Sequence, residues 1–354
     1  MRDIKIDALR FIGLSAIILA HITPPPLLFQ LRNFDVPLMV LVSGISFALS
    51  YSGTTSYLSY VWKRIKRLVL PVWLFLSGYF CVSAFLPAIL PNDSSLPVKR
   101  IINHYSFLDG GEPTWIFRVF LLVALFAPVI YKLNQKIKSD RKYMIFIFAF
   151  CLMYGLFLHF SMPYLGLGRM VPLIGMKRGA VLASIIHYGI AYALVFACGL
   201  RIHRLSRREV GYCLLTSFAI FAIYGLMLTY TQGKFMPTQA FKYPPSVYYL
   251  SYSLFVSYAL WLVRSNIVWS IEKIKLLPIA LFMARNSLWV YLWHIPLMRF
   301  VRNQGFYHFS VRYLIVMVGA AAITYCQVWV VHNVILVKIR NYKIQRFLKS
   351  LLTG

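Results

Sequence analysis

The chain has 354 residues, 60% of them hydrophobic and 17% aromatic, with a mean hydropathy of +0.69. That composition excludes an ordinary soluble domain and places the chain among polytopic membrane proteins. The 37 Lys and Arg against 9 Asp and Glu give a formal net charge of +28. In a soluble protein that excess points to nucleic acid, but these basic residues lie between apolar runs, where they set orientation instead.

Runs long enough to cross about 30 Å of hydrocarbon occur at ten places: 8–29, 34–51, 68–90, 115–131, 143–160, 181–200, 210–231, 247–263, 287–301 and 313–337. The ninth is short, and the stretch from Leu276 either extends it or forms a re-entrant piece. Assigning the connections alternately to the two sides, N-terminus inside, puts 24 Lys and Arg inside and 11 outside, with Arg10 and Arg118 within helices. The bias predicts ten spans with both termini cytoplasmic. The largest outside connection, 91–114, carries Asp93, Asp109 and Glu112 and has the length for a small cap. The fold is expected to be all-α, one integral membrane domain over 1–354 with no separate soluble domain.

The first run holds the most informative residues. Asp7, Arg10 and His21 lie inside an apolar segment, and ionisable side chains within a membrane mark functional sites by default. Spacings of three and eleven place them on one helical stripe, with Arg10 and His21 about 16 Å apart along the axis. A carboxylate and guanidinium can pair at one end while the imidazole waits deeper in. Pro24, Pro25 and Pro26 then break the segment, and broken backbone at membrane depth is tolerated only against protein or a wet cavity. The prolines stand where small residues would mark a leader cleavage site, so none is expected.

Further along, Ser43-Gly44 lets a neighbouring helix approach closely. Arg64 and Arg67 share a face before the third run and offer planar forks suited to phosphate, although an ordinary basic flank has the same pattern. Trp115 and the 242–249 cluster of Lys242, Tyr243, Pro244, Pro245, Tyr248 and Tyr249 read as interfacial aromatics or sugar-stacking surfaces. His294 lies in the ninth run with Tyr291 three residues behind it, as a substrate-contacting group or a hydrogen-bonded structural histidine. Cys81, Cys151, Cys198, Cys213 and Cys326 are scattered, with no disulfide framework or metal-ligand spacing.

Taken together, Asp7-x-x-Arg10-x10-His21, Val36-Pro37-Leu38 through Ser43-Gly44, Arg64-x-x-Arg67 running into Pro71, and Tyr291-x-x-His294 resemble the acyltransferase 3 family of integral membrane acyltransferases. Met39 departs from the phenylalanine common there. The resemblance implies transfer of an acetyl group from cytoplasmic acetyl-CoA, a donor substrate with no permanently bound cofactor or metal, at the inner (plasma) membrane. The acceptor it implies is a hydroxyl of an envelope glycan or lipid-linked oligosaccharide, such as lipopolysaccharide O-antigen, capsule or exopolysaccharide; nucleic acid is not a partner. His21 would act as base or transient acetyl acceptor, with Arg10 held by Asp7. Arg64 and Arg67 would hold the donor, and Ser43, Trp115, Tyr291 and His294 would contact substrate.

The rival from another class is a lipid-linked sugar flippase or other secondary transporter. Such proteins often carry interrupted helices in both halves, whereas the unusual charges here are concentrated in the first run. A glycan polymerase or ligase would need a large outside loop, and an acyltransferase using lipid donors is a third alternative.

Overall fold

The structure, a computed structural model, describes residues 3–53, 55–85, 98–108, 114–172, 175–303, 305 and 308–353. Its described helices are α1 (Ile4–His21), α2 (Pro26–Leu31), α3 (Asp35–Ser50), α4 (Tyr57–Phe85), α5 (Val98–Ser106), α6 (Trp115–Lys136), α7 (Asp140–Ser161) and α8 (Arg178–Ile202). They continue as α9 (Arg207–Gln232), α10 (Val247–Leu262), α11 (Arg264–Lys273), α12 (Leu277–Arg285), α13 (Ser287–Asn303), α14 (Phe309–Val330) and α15 (Tyr342–Thr353). Met170–Val171 and Met176–Lys177 pair as a short antiparallel hairpin between α7 and α8.

Local chemistry sets several boundaries. Asp3 accepts the Lys5 amide at 2.8 Å and starts α1. Ser206 and Glu209 cap α9 reciprocally, and Gly233, at φ +66°, ends it in the left-handed conformation. The first run is not one helix to residue 29: α1 stops at His21, Thr23 adopts φ +52°, and α2 restarts at Pro26. Proline lacks the amide a continuing helix needs. The third run begins earlier than its apolar part, because α4 extends back to Tyr57 and carries Arg64 and Arg67 inside the helix. Leu276 neither lengthens α13 nor lies in it; α12 precedes α13 as a separate short helix broken at Asn286.

Among the described residues, seven helical segments are long and apolar enough to cross a membrane, or eight when α10 and α11, bent by 66°, form one span. The remaining two predicted runs became α1, with Lys5, Asp7 and Arg10 in 18 residues, and α13, only 17 residues long. The chain is an all-α polytopic membrane protein. The expected cap lies mostly outside the described residues, including Asp93, Asp109 and Glu112, although α5 occupies part of its span.

The core runs along α3 and α8. In α3, Leu38, Val40, Leu41, Val42 and Ile45 are fully buried, and 61% of the apolar window of α8 lies inside the protein against 11% for α9. α3 and α8 meet at Gly44 and Gly199, where a Cβ would come within 2.4 Å of the Phe196 carbonyl and 2.2 Å of the Leu41 carbonyl respectively. That backbone approach is the use of Ser43-Gly44 expected from the sequence. α1 packs against α3 on one side and α12 on another, so its charged stripe faces the interior.

Candidate active site

One end of α1 opens on a cavity of about 550 Å³. Arg10, Arg64, Arg67 and Arg285 line it together with Asp3, Asp7, Ser43, Ser46 and Tyr60. Asp7 is almost fully buried and accepts from Arg10 Nη1 at 2.6 Å, while Arg10 Nη2 donates to Ser46 Oγ on α3 at 3.0 Å. The i, i+3 spacing thus makes the pair expected from the sequence, and α3 supplies a second anchor. Arg64 lies over the Tyr60 ring, 5.0 Å from its centre. Four guanidinium groups against two carboxylates leave this cavity cationic.

The other end of α1 meets a second cavity, of about 100 Å³. His21, Trp115, Tyr243 and Tyr291 line it, with Arg32, Asp35, Gln239 and Lys242. Asp35, first residue of α3, bonds Arg32 Nη1 at 2.8 Å and Lys242 Nζ at 3.2 Å. Arg32 Nη2 reaches Gln239 at 3.2 Å. Burial pulls the Lys242 ammonium down to about 8, against the opposing pull of Asp35, so it remains largely protonated at neutral pH.

Behind His21 stands His294 of α13, fully buried, with the two rings stacked at 5.1 Å between centres. His294 Nδ1 bonds the Tyr291 carbonyl, and His294 Nε2 is 3.0 Å from His21 Nδ1. With both rings neutral, these contacts select one tautomer of each. A carbonyl oxygen only accepts, so His294 Nδ1 carries hydrogen and its Nε2 is an acceptor. His21 Nδ1 must then donate across the 3.0 Å contact. The lone pair of His21 remains on Nε2, on a ring that lines the cavity. An imidazole held in one tautomer by its second nitrogen is the arrangement of a general base.

The residues singled out in the sequence therefore separate into two groups. Asp7, Arg10, Ser43, Arg64 and Arg67 share the large cavity; His21, Trp115 and Tyr291 share the small one, with His294 packed behind His21. Ser43 Oγ is bonded to the Val40 carbonyl at 2.7 Å. Arg10 stands with Arg64 and Arg67, not with His21, from which it is about 16 Å along the helix. The cavities have no lining residue in common. On α3, Val36 belongs to the small cavity and Ser43 to the large one, and Met39 occupies the same face between them. Its Cγ lies only 2.8 Å from where a Cβ on Gly13 of α1 would sit. Met39 thus stands at the division.

Sequence reasoning missed Arg32 and Asp35 and placed Lys242 only in an aromatic cluster, counting both cations as orientation charges of outside connections. They are buried around one carboxylate instead. Asp35, a carboxylate inside the 34–51 apolar run, was the available signal. Trp115 is buried under Tyr243, with ring centres 5.3 Å apart, rather than presented as an interfacial aromatic. Arg201, counted as an inside flank, is buried with Asn134 at 2.7 Å and Asp140 at 2.5 Å.

The family model described as an acyltransferase domain, that of acyltransferase 3, matches residues 3–329. No curated protein and no solved structure matches the chain. The match takes in both cavities and all the residues that line them. The chain belongs to the acyltransferase 3 family and is a membrane acyltransferase.

Proposed function

We propose that the protein moves an acetyl group from acetyl-CoA, held at the arginine-lined cavity, to a carbohydrate hydroxyl held beside His21. The observation that carries this reading is the pair of cavities at opposite ends of α1, one cationic and one lined by His21, whose Nδ1 meets His294 Nε2 at 3.0 Å. Arg10, Arg64 and Arg67 suit the phosphates of a nucleotide-bearing donor, since guanidinium groups pair bidentately with phosphate oxygens. The extended thioester arm then runs along α1 past Met39, an unbranched side chain that repacks easily.

At the far end, His21 Nε2 takes the proton of the acceptor hydroxyl as that oxygen bonds to the acetyl carbon. The carbon–sulfur bond breaks, and the departing thiolate takes its proton from the imidazolium. His294 holds His21 Nδ1 throughout, so the proton is taken at one defined nitrogen. Trp115, Tyr243 and Tyr291 offer the aromatic faces on which sugar rings rest. In this reading the donor cavity faces the cytoplasm and the acceptor is an envelope glycan, at the inner membrane. Purified protein in liposomes, given acetyl-CoA with and without envelope glycans, tests the proposal. Glycan-dependent release of free thiol is expected; vectorial movement of a lipid-linked sugar without thiol release would support the transporter reading instead.

A further inference from the structure

The small cavity carries more positive charge than its own structure requires. Arg32, Asp35 and Lys242 are all nearly inaccessible to solvent. Asp35 spends one oxygen on Arg32, at 2.8 Å, and the other on Lys242, at 3.2 Å, and on the Val36 amide, at 2.7 Å. Among the described residues it is the one carboxylate in contact with either cation. One buried negative charge against two positive charges leaves a net charge of +1 at the wall of the cavity that His21 lines. Arg32 Nε is also buried without a hydrogen-bond partner.

Uncompensated buried charge is expensive, and so is a buried donor left unpaired. Beyond Asp35 the two cations meet aromatic faces, which carry no formal charge: the Phe29 ring centre lies 4.2 Å from the Arg32 guanidinium, and those of Trp115, Tyr243 and Tyr249 lie 5.7, 5.8 and 5.8 Å from Lys242 Nζ. The surplus cation and the idle guanidinium donor are what an anionic ligand would satisfy. Resting on the acetyl-transfer reading above, we propose that the acceptor is an acidic sugar, whose carboxylate or phosphate docks on Arg32 and Lys242 while a neighbouring hydroxyl meets His21. The group recognised is an oxyanion on the sugar, close to the acetylated position. A neutral glycan leaves the charge unmatched and binds less well.

Equilibrium binding to the purified protein tests this without requiring turnover. Methyl glucuronide is compared with methyl glucoside, and glucose 6-phosphate with glucose, on wild-type protein, Lys242→Gln and Lys242→Arg, the latter preserving charge should the Gln variant unfold. The acidic ligand of at least one pair is expected to bind about tenfold or more tightly than its neutral partner, a difference of about 1.4 kcal/mol. Lys242→Gln should abolish that preference and Lys242→Arg should keep it. The pair that shows it identifies carboxylate or phosphate as the group recognised. Equal binding of acidic and neutral ligands, no measurable binding of either acid, or a preference that survives in Lys242→Gln would each overturn the proposal. Thiol release from acetyl-CoA, measured on the same preparations, reports separately on acetyl transfer: its absence beside an intact acid preference would refute the donor reading alone.

Discussion

Replacing His294 with Phe keeps a ring stacked on His21 but removes the nitrogen that accepts from His21 Nδ1 at 3.0 Å. The Nδ1–H of His21 then has no partner where the imidazole stood. A buried unpaired donor costs about 1–3 kcal/mol, so the tautomer with its lone pair on Nε2 becomes less favourable by about 5- to 150-fold. The imidazole avoids that cost by moving its hydrogen to Nε2, which leaves no base facing the hydroxyl. kcat should therefore fall by a factor in that range, as expected when a base is held in the wrong tautomer. The apparent KM for acetyl-CoA should stay within twofold, because Arg10, Arg64 and Arg67 line the other cavity. His294→Gln restores an amide oxygen able to accept from Nδ1 and should recover part of the loss. The assay is initial-rate thiol release from reconstituted protein. A folded His294→Phe variant with kcat unchanged, or one affected only in donor KM, would refute the relay.

Three further outcomes follow from the large cavity and its boundary. Asp7→Asn and Arg10→Gln should each cost activity or stability, up to about 3–5 kcal/mol, since each removes one charge of the 2.6 Å pair. The double variant should lose less than the sum, and a double-mutant cycle that gives additive losses would contradict the coupling. Arg64→Gln or Arg67→Gln should raise the KM for acetyl-CoA about tenfold with little change in kcat, because phosphate contacts serve ground and transition states alike; Arg→Lys should rescue only in part, and an unchanged KM in donor titrations counts against the donor site. Met39→Trp should slow transfer by obstructing the division between the cavities, whereas Met39→Leu, close to it in volume, should be near neutral; full kcat in a folded Trp variant would show that the acyl arm takes another route.

Much of the architecture was legible because hydrophobic length and helix geometry report on it directly. The ten apolar runs mark real helices, Asp7 and Arg10 meet as i, i+3 neighbours, and Gly44 marks the close packing of α3 on α8. Hydropathy hides where a helix continues beyond its apolar part, which is why α4 reaches back through Arg64 to Tyr57. Pairings distant in sequence leave no local trace. His21 and His294 are 273 positions apart, and Asp35 and Lys242 207 apart. Charge counting by loop also treats every exposed and buried cation alike, so Arg32, Lys242 and Arg201 looked like flanks until their partners were visible.

The central claim is that His21 is the base of an acetyl transfer from acetyl-CoA to a sugar hydroxyl. The most direct measurement compares glycan-dependent thiol release by wild-type protein and His21→Ala, matched for expression, membrane insertion and thermal stability. Loss of a general base should lower the rate by about 10²-fold or more, with no change in donor binding at the arginine-lined cavity. A well-folded His21→Ala protein that keeps most of its transfer rate would contradict the account.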